Sequence, residues 1–302
     1  MKRCAFLTMD TLDGYVSDDE LVYQPMRELG WHIDSVSWHR TGVDWSQYEA
    51  VLIRTTWDYH RNHEKFLATL NAVNRSGTRL LNPFELVRWN IHKTYLRDLE
   101  CKGIRIVPAL WPGKIDREQL YFAMDEFGAE EIVVKPVVSA GARNTFRIRY
   151  DNMESGVEEA VNLLAGKECM IQPFIHNIIT EGEYSVFYFG GSYSHAVLKT
   201  PKQYDFRVQE EHGGILRSVV IPDPILLKRS QKVLDVLDRL PFYARVDWVR
   251  DTYEEYSLME LELIEPSLYF RTDPASPVRF AQAFDAWMGK SIDSYINVSG
   301  KG

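Results

Sequence analysis

The sequence predicts an α/β protein: a small parallel α/β layer at the start of the chain, followed by mixed, strand-rich segments. Three observations lead there. Short apolar runs alternate with helical stretches over roughly the first third of the chain, the pattern of a parallel sheet with crossover helices. Further along, two apolar runs flank Gly190-Gly191 as a hairpin would. At 302 residues the chain is long for one domain and comfortable for two or three.

Arg3–Thr8 reads as a buried strand, followed by a polar Asp/Gly loop over Asp10–Asp19. A helix is expected from about Leu21 to Leu29, ended by Gly30. His32–Trp38 and Ala50–Arg54 read as further strands, and Phe66, Leu67, Leu70 and Val73 recur at helical spacing. Arg79–Leu81 is a short strand closed by Asn82-Pro83. Ligands of parallel α/β sheets gather at the carboxyl ends of strands, where Asp10 and Arg54-Thr-Thr-Trp-Asp-Tyr59 lie.

One helix is expected from about Phe84 through Leu99, stopping near Gly103, then an extended Arg105–Ala109 and a helix near Arg117–Phe127. Glu131–Val138 reads as a strand, Ser155–Ala165 as a helix and Glu168–Phe174 as a strand leading to a loop. Glu183–Phe189 and Tyr193–Lys199 form the hairpin, and Leu226, Val233, Leu234 and Leu237 a helical stripe. The last strands are Tyr243–Val249 and the run Leu258–Pro266. No internal repeat or low-complexity segment is present, and Ser299–Gly302 is expected to be a frayed tail.

A net charge of −8 and a pI near 5.6 argue against a nucleic-acid surface. No apolar run approaches the ~18 residues of a membrane span. The three cysteines, Cys4, Cys101 and Cys169, lie far apart without metal spacing or a disulfide framework, so a reducing cytoplasm is expected.

The strongest chemical signal is acidic residues on strand-like sequence. Residues two apart on a strand share a face, so Glu260 and Glu262 point to one side and Glu265 to the other, with Asp247 in the middle of the preceding strand. Carboxylates that converge repel unless a cation lies between them, and an all-oxygen set suits Mg²⁺ shared with a nucleotide phosphate. Lys135 sits in the apolar strand Ile132-Val-Val-Lys-Pro-Val-Val138, where a buried ammonium calls for an anionic partner. The small-residue loop Ser139-Ala-Gly-Ala-Arg-Asn144 follows, able to bring backbone N–H groups close to phosphate oxygens. A lysine that snorkels beside an ordinary turn is the bland alternative.

Other residues are weaker alone. Lys93 on its helix reads as a surface lysine, and Gln172-Pro-Phe-Ile175 as a strand that could offer main-chain groups to a base edge. Glu183 could accept from ribose hydroxyls or be a solvated turn acid. Arg207, in Asp205-Phe-Arg-Val-Gln209 before Gly213-Gly214, suits a flexible segment that grips an anion.

In order, Lys93, Lys135 with Ser139 and Gly141 in its loop, Gln172-Pro173-Phe174-Ile175, Glu183, Arg207, Asp247, Glu260 and Glu262 resemble the ATP-grasp superfamily of carboxylate–amine ligases. A closer resemblance is to the subgroup containing the O-ureido-serine cyclo-ligase of cycloserine biosynthesis. It is carried by Arg54-Thr-Thr-Trp-Asp-Tyr-His60, Asn82-Pro83, Arg88-Trp-Asn90, Lys93-Thr-Tyr-Leu96, Gly182-Glu-Tyr-Ser185, Ser194-His-Ala-Val197, Asp205–Gln209 and Met259–Pro266. One departure stands out: where the superfamily commonly has asparagine two residues after the late-strand glutamate, this chain has Glu262, with Glu265 close behind, which leaves open which of the two is the second metal ligand, strand alternation favouring Glu262.

The resemblance implies an α+β ATP-grasp module after the α/β layer, divided as 1–92, 93–171 and 172–302. It implies ATP and one or two Mg²⁺, or Mn²⁺, as cofactors. A substrate carboxylate would take the γ-phosphate as an acyl phosphate, and an amine, in the same or another molecule, would displace phosphate. Lys93 and Lys135 would hold phosphates, Asp247, Glu260 and Glu262 the metal, and Arg207 the transferring phosphoryl group, with Lys199 and Arg245 as further candidates. Asp10, Arg54, Trp57 and Tyr59 would contact a small amino-acid-like substrate. Trp57 and Tyr59 as mere interface packing is an equal alternative, and His195 and His212 as bases is a weaker reading. Homo-oligomerisation is left open. A catalytically silent ATP-binding regulatory module and a small-molecule kinase are the competing functions.

Overall fold

The computed structural model describes residues 1–113, 115–150, 153–251 and 253–290, for 153–155 the backbone alone. The expected tail Ser299–Gly302 lies outside the described residues.

The N-terminal layer is a four-stranded parallel sheet of β1 (Lys2–Thr8), β2 (Trp31–Ser37), β3 (Ala50–Thr55) and β4 (Arg79–Leu81), ordered β2-β1-β3-β4. Its crossovers carry α1 (Tyr23–Glu28) and α2 (His63–Arg75). Cys4 and Phe6 of β1 enter one core while Ala5 and Leu7 enter another, so the strand is buried on both faces and reads as a continuous apolar run. Asn62 caps α2 by accepting from the Lys65 N–H at 3.1 Å, and the Phe66, Leu70, Val73 stripe faces the sheet.

The helix expected over Phe84–Leu99 is two helices, α3 (Phe84–Asn90) and α4 (Tyr95–Cys101). The break has a long-range cause: the Lys93 N–H donates to the Val137 carbonyl at 2.8 Å and so leaves the helical ladder. Lys93 therefore sits in a turn between helices and is buried rather than lying on an exposed helix face.

Next comes a three-stranded antiparallel sheet, ordered β6-β5-β7, from β5 (Glu131–Pro136), β6 (Phe146–Arg149) and β7 (Cys169–Pro173). It is backed by α5 (Arg117–Phe127) and α6 (Met153–Leu164) in its own core. Gly128 ends α5 at φ +57°, the left-handed region that glycine enters without a Cβ penalty.

After the short α7 (Asn177–Thr180), an antiparallel five-stranded sheet runs β10-β9-β8-β11-β12, from β8 (Glu183–Phe189), β9 (Ser192–Thr200), β10 (Ile215–Ser218), β11 (Tyr243–Arg250) and β12 (Tyr256–Glu262). One face packs on α8 (Pro224–Asp235) and on α4, through Val186, Tyr188, Val246 and Trp248. α9 (Ser276–Met288), absent from the sequence reading, packs Phe280 and Phe284 with Phe6, Leu52 and Phe242, joining this sheet to the N-terminal layer. No described helix is long and apolar enough to cross a membrane.

Candidate active site

A cavity of about 530 Å³ is lined by strand residues of the two antiparallel sheets and by loop residues of the N-terminal layer, Tyr15, Trp57 and Tyr59 among them. Its charged floor follows from strand period and register. Glu183 faces Lys199 across β8 and β9, Ser185 faces Asp247 across β8 and β11, and Asp247 and Arg245 face Glu260 and Glu262 across β11 and β12. Because alternate residues share a face, these side chains form one row. Oxygens of Asp247, Glu260 and Glu262 all lie within 4.8 Å of one another.

Every acid in this row is paired. Lys93 bonds Glu260, Arg245 bonds Glu262, and Lys199 bonds Glu183 and lies 3.4 Å from Asp247. Arg245 also donates to Asp247 at 2.9 Å, and the Ser185 hydroxyl donates to Asp247 at 2.6 Å. Burial alone would raise the Asp247 pKa, but Arg245 and Lys199 reverse that and hold it below its ordinary value. Glu262 is pushed up to about 7 by burial, with Glu260 and Asp247 opposing its ionisation against the pull of Arg245. Burial would lower the Lys93 pKa, but Glu260 keeps it raised.

Lys135 differs: it has no ion-pair partner among the described residues. Burial, and then the Lys93 charge, pull it down to about 8. A partly desolvated ammonium beside a second cation, both lining a cavity, suits a polyanion.

The other end of the cavity is apolar, walled by Val107, Val133, Phe174, Ile178 and Met259. Gln172 donates to the Val107 carbonyl at 3.2 Å, and the Phe174 N–H donates to the Glu131 carbonyl at 2.9 Å. Glu183 lines this cavity 7% exposed, so it is not a solvated turn acid. The loop at Ser139–Asn144 borders the cavity, with Gly141, Ala142 and Asn144 at positive φ. It is tied to two other elements: Arg143 donates to the Tyr15 hydroxyl at 3.2 Å, and the Gly141 carbonyl lies 3.2 Å from His212 Nε2.

Several expected site residues lie elsewhere. Asp10 is exposed at the end of β1, accepting from Ser37, and does not line the cavity. Arg54 is 2% exposed and spent on structure: it donates to Asp19 at 3.0 Å and to the Pro266 carbonyl at 3.1 Å. Lys199 is also outside the lining, 1% exposed and paired with Glu183 and Asp247. His195 is buried between the Leu268 carbonyl and Ser194, stacked on Phe187 and pulled down to about 4 by burial, outside the cavity. Arg207 does line the cavity, held bidentately by Asp205 at 2.8 and 3.0 Å. Trp57 and Tyr59 line it as well.

Strand alternation places Glu265 on the far face. β12 ends at Glu262, alternation stops there, and Glu265 enters the same cavity. Asn90 and Tyr95, which the sequence offers only as parts of the motifs that carry the resemblance, have a role of their own. Asn90 donates to the Leu261 carbonyl and accepts from the Leu263 N–H, and Tyr95 accepts from the Leu261 N–H, so they hold the acidic strand in place. Nothing local marks them, because their partners lie about 170 residues away.

Residues 4–82 match the family model for the N-terminal domain of D-cycloserine synthetase DcsG, and residues 115–228 match that for the ATP-grasp domain of prokaryotic glutathione synthetase. The chain is 31% identical over 274 residues to the cycloserine biosynthesis protein DcsG of Streptomyces lavendulae, covering 85% of this chain and 89% of that protein. The crystal structure of D-cycloserine synthetase DcsG superposes with a TM-score of 0.82 at 28% identity, covering 95% of this chain and 99% of that one. The D-alanine–D-alanine ligase of Bacillus anthracis gives 0.65 at 15% identity over 94% and 95% of the chains, a likeness of fold alone.

Proposed function

Because the chain belongs to the ATP-grasp ligases, in the group of the cycloserine biosynthesis protein DcsG, and is an ATP-dependent, C–N bond-forming enzyme, we propose that it acts through an acyl phosphate on a small amino-acid-like substrate. The observation that carries this reading is the pairing of an unpartnered Lys135 with Lys93 at the acid-lined end of the cavity, opposite an apolar slot.

In this reading the adenine lies in the apolar slot against Phe174 and Ile175, beside Gln172 and Pro173. The Ile175 N–H, which has no partner among the described residues, supplies a donor to the base edge. Glu183 accepts from the ribose. Lys93 and Lys135 hold the phosphates, and the backbone around Ser139 and Gly141 covers them and excludes water. A nucleotide would also relieve the two neighbouring lysine charges.

The donor set fits a divalent cation: three carboxylates within reach of one another, all hard oxygen ligands, of the kind Mg²⁺ or Mn²⁺ takes. Bound there by Asp247, Glu260 and Glu262, one or two such ions would neutralise phosphate charge. Lys93 and Arg245 hold Glu260 and Glu262 in position as this chain's own counter-charges.

A substrate carboxylate oxygen attacks the γ-phosphorus, the bond to the β-phosphate oxygen breaks and ADP leaves. The lone pair of an amine then attacks the acyl carbon, the bond to phosphate breaks, and the nitrogen releases its proton to solvent or to the departing phosphate. Arg207, freed from Asp205, and Arg245 stabilise the phosphoryl charge in both steps. Trp57 and Tyr59 shape the substrate end. We further infer the division 1–92, 93–171 and 172–302 as functional units, although β7 continues to Pro173 across the second boundary.

The test is ADP release with ATP, Mg²⁺ and candidate amino acids, with and without hydroxylamine. An acyl phosphate yields a hydroxamate. Stimulated ADP release without hydroxamate, and with a stable phosphate ester, would mean a kinase. ATP binding with no stimulation by any carboxylate would mean a regulatory module.

A further inference from the structure

We propose that Glu265 receives the ammonium group of the substrate, at the end of the cavity walled by Trp57 and Tyr59. The proposal rests on the ligase reading above and specifies which part of an amino-acid-like substrate the cavity recognises.

Glu265 is 9% exposed and lines the cavity, yet its carboxyl has no hydrogen-bond or ion-pair partner among the described residues. Its three neighbours in charge all have one: Glu260 has Lys93, Glu262 has Arg245, and Glu183 has Lys199. A buried polar group without a partner is costly, and in a binding cavity the natural partner is the ligand. Burial, together with the Glu262 and Glu260 charges, holds the Glu265 carboxyl well above its ordinary pKa, so an arriving cation gains by restoring the carboxylate.

A metal ligand is the rival role. The carboxylates whose oxygens approach within 4.8 Å are Asp247, Glu260 and Glu262, and Glu265 is outside that set. Its backbone is also fixed: Trp57 Nε1 donates to the Glu265 carbonyl at 3.0 Å, and Arg54 holds the next carbonyl, that of Pro266, at 3.1 Å. A pinned backbone directs the side chain into the cavity and not along the strand face.

The walls suit an ammonium ion. Trp57 and Tyr59 line the same cavity, and Tyr15 stands 5.3 Å from Trp57, ring to ring. Aromatic faces attract cations, and the acids around them set a negative field. The acid-plus-aromatic arrangement expected around Asp10 thus exists, built on Glu265.

A chemical consequence follows. An amine held as an ammonium by a carboxylate has no lone pair and cannot attack the acyl phosphate. The substrate's nucleophile is then a second nitrogen, in the same molecule or another, and the group at Glu265 serves recognition.

The experiment is calorimetric binding in the presence of Mg²⁺ and a nonhydrolysable ATP analogue. The probes are the proteinogenic amino acids in both enantiomers and their α-hydroxy-acid counterparts, titrated into wild type and Glu265→Gln. At least one amino acid should bind wild type, with its hydroxy acid at least about tenfold weaker. Glu265→Gln should weaken the amino acid by roughly ten- to hundredfold, erase the preference and leave affinity for the ATP analogue unchanged. Equal binding of amino and hydroxy acids to wild type, or no binding of either, overturns the proposal. So does a Glu265→Gln enzyme whose main change is its Mg²⁺ requirement. The wild-type comparison stands even if the variant fails to fold. ADP release separates the two readings: release without preference for amino acids removes the ammonium site and keeps the ligase, whereas selective binding without release does the reverse.

Discussion

Lys199 Nζ lies 3.4 Å from Asp247 Oδ2 while also ion-paired to Glu183, and only 1% of its side chain is exposed. One buried ammonium therefore serves two carboxylates on adjacent strands, and its removal leaves Glu183 without its ion-pair partner while Asp247 keeps Arg245 and Ser185. Lys199→Met should cost about 3–5 kcal/mol, read from urea unfolding, and abolish ADP release. The pH dependence follows from sign. The acids hold the Lys199 pKa above 10.5 against the opposing effect of burial, so its contribution is complete below that value and is lost only as pH rises through the higher folded value. The Asp247 pKa is depressed, so its contribution is present above 3.8 and is lost as pH falls through the lower folded value. The gap between wild type and variant should stay level across neutral pH and narrow in strong acid.

Lys135 gives a pH signature near neutrality. With its pKa pulled down to about 8 by burial and by Lys93, the charge proposed to bind phosphate is lost as pH rises through that value. ATP affinity should fall by up to about tenfold per pH unit above 8. Lys135→Arg, which stays charged, should flatten that profile; a wild-type profile already flat to pH 10 would contradict the assignment.

The three late glutamates should separate by metal dependence. Glu260→Gln and Glu262→Gln should each raise the Mg²⁺ concentration for half-maximal ADP release by roughly ten- to a hundredfold. Glu265→Gln should leave it unchanged. A Glu262→Gln enzyme with an ordinary Mg²⁺ requirement would remove that residue from the metal set.

Asn90 ties α3 to the acidic strand through its amide oxygen and nitrogen, both buried. Asn90→Ala leaves a backbone N–H and a carbonyl of β12 and its extension unpartnered. A loss of about 2–4 kcal/mol in unfolding free energy is expected, together with a weakened response to Mg²⁺ as Glu260 and Glu262 lose their support.

The cavity loop Ser139–Asn144 is held by Arg143 to Tyr15. Because this contact is exposed, Arg143→Ala should change stability by under about 1 kcal/mol. Its effect should appear in coupling: ADP release without acceptor should rise relative to product, as water reaches the reactive intermediate.

Much of the molecule was legible in its residues. Strand alternation in Leu258–Glu262 put Glu260 and Glu262 on one face, and the apolar context of Lys135 marked it as a charge in need of an anion. Those are local facts, carried by neighbours one to four positions apart. The break at Lys93, the burial of Lys199 and the roles of Asn90 and Tyr95 were not legible, since each depends on a partner far along the chain, as Lys93 does on Val137 and Glu260.

By itself, the sequence determined the α/β class, the residue types of a nucleotide and metal site, and the faces on which strand side chains lie. Backbone period and side-chain chemistry are properties of short segments, so a single chain displays them. Only the tertiary structure decided which acids meet which cations, and which acid stands beside the aromatics. Asp10 and Glu265 were comparable as isolated carboxyls. Packing left one exposed beside Ser37 and turned the other into the cavity, because β12 stops at Glu262 and Trp57 and Arg54 pin the chain that follows.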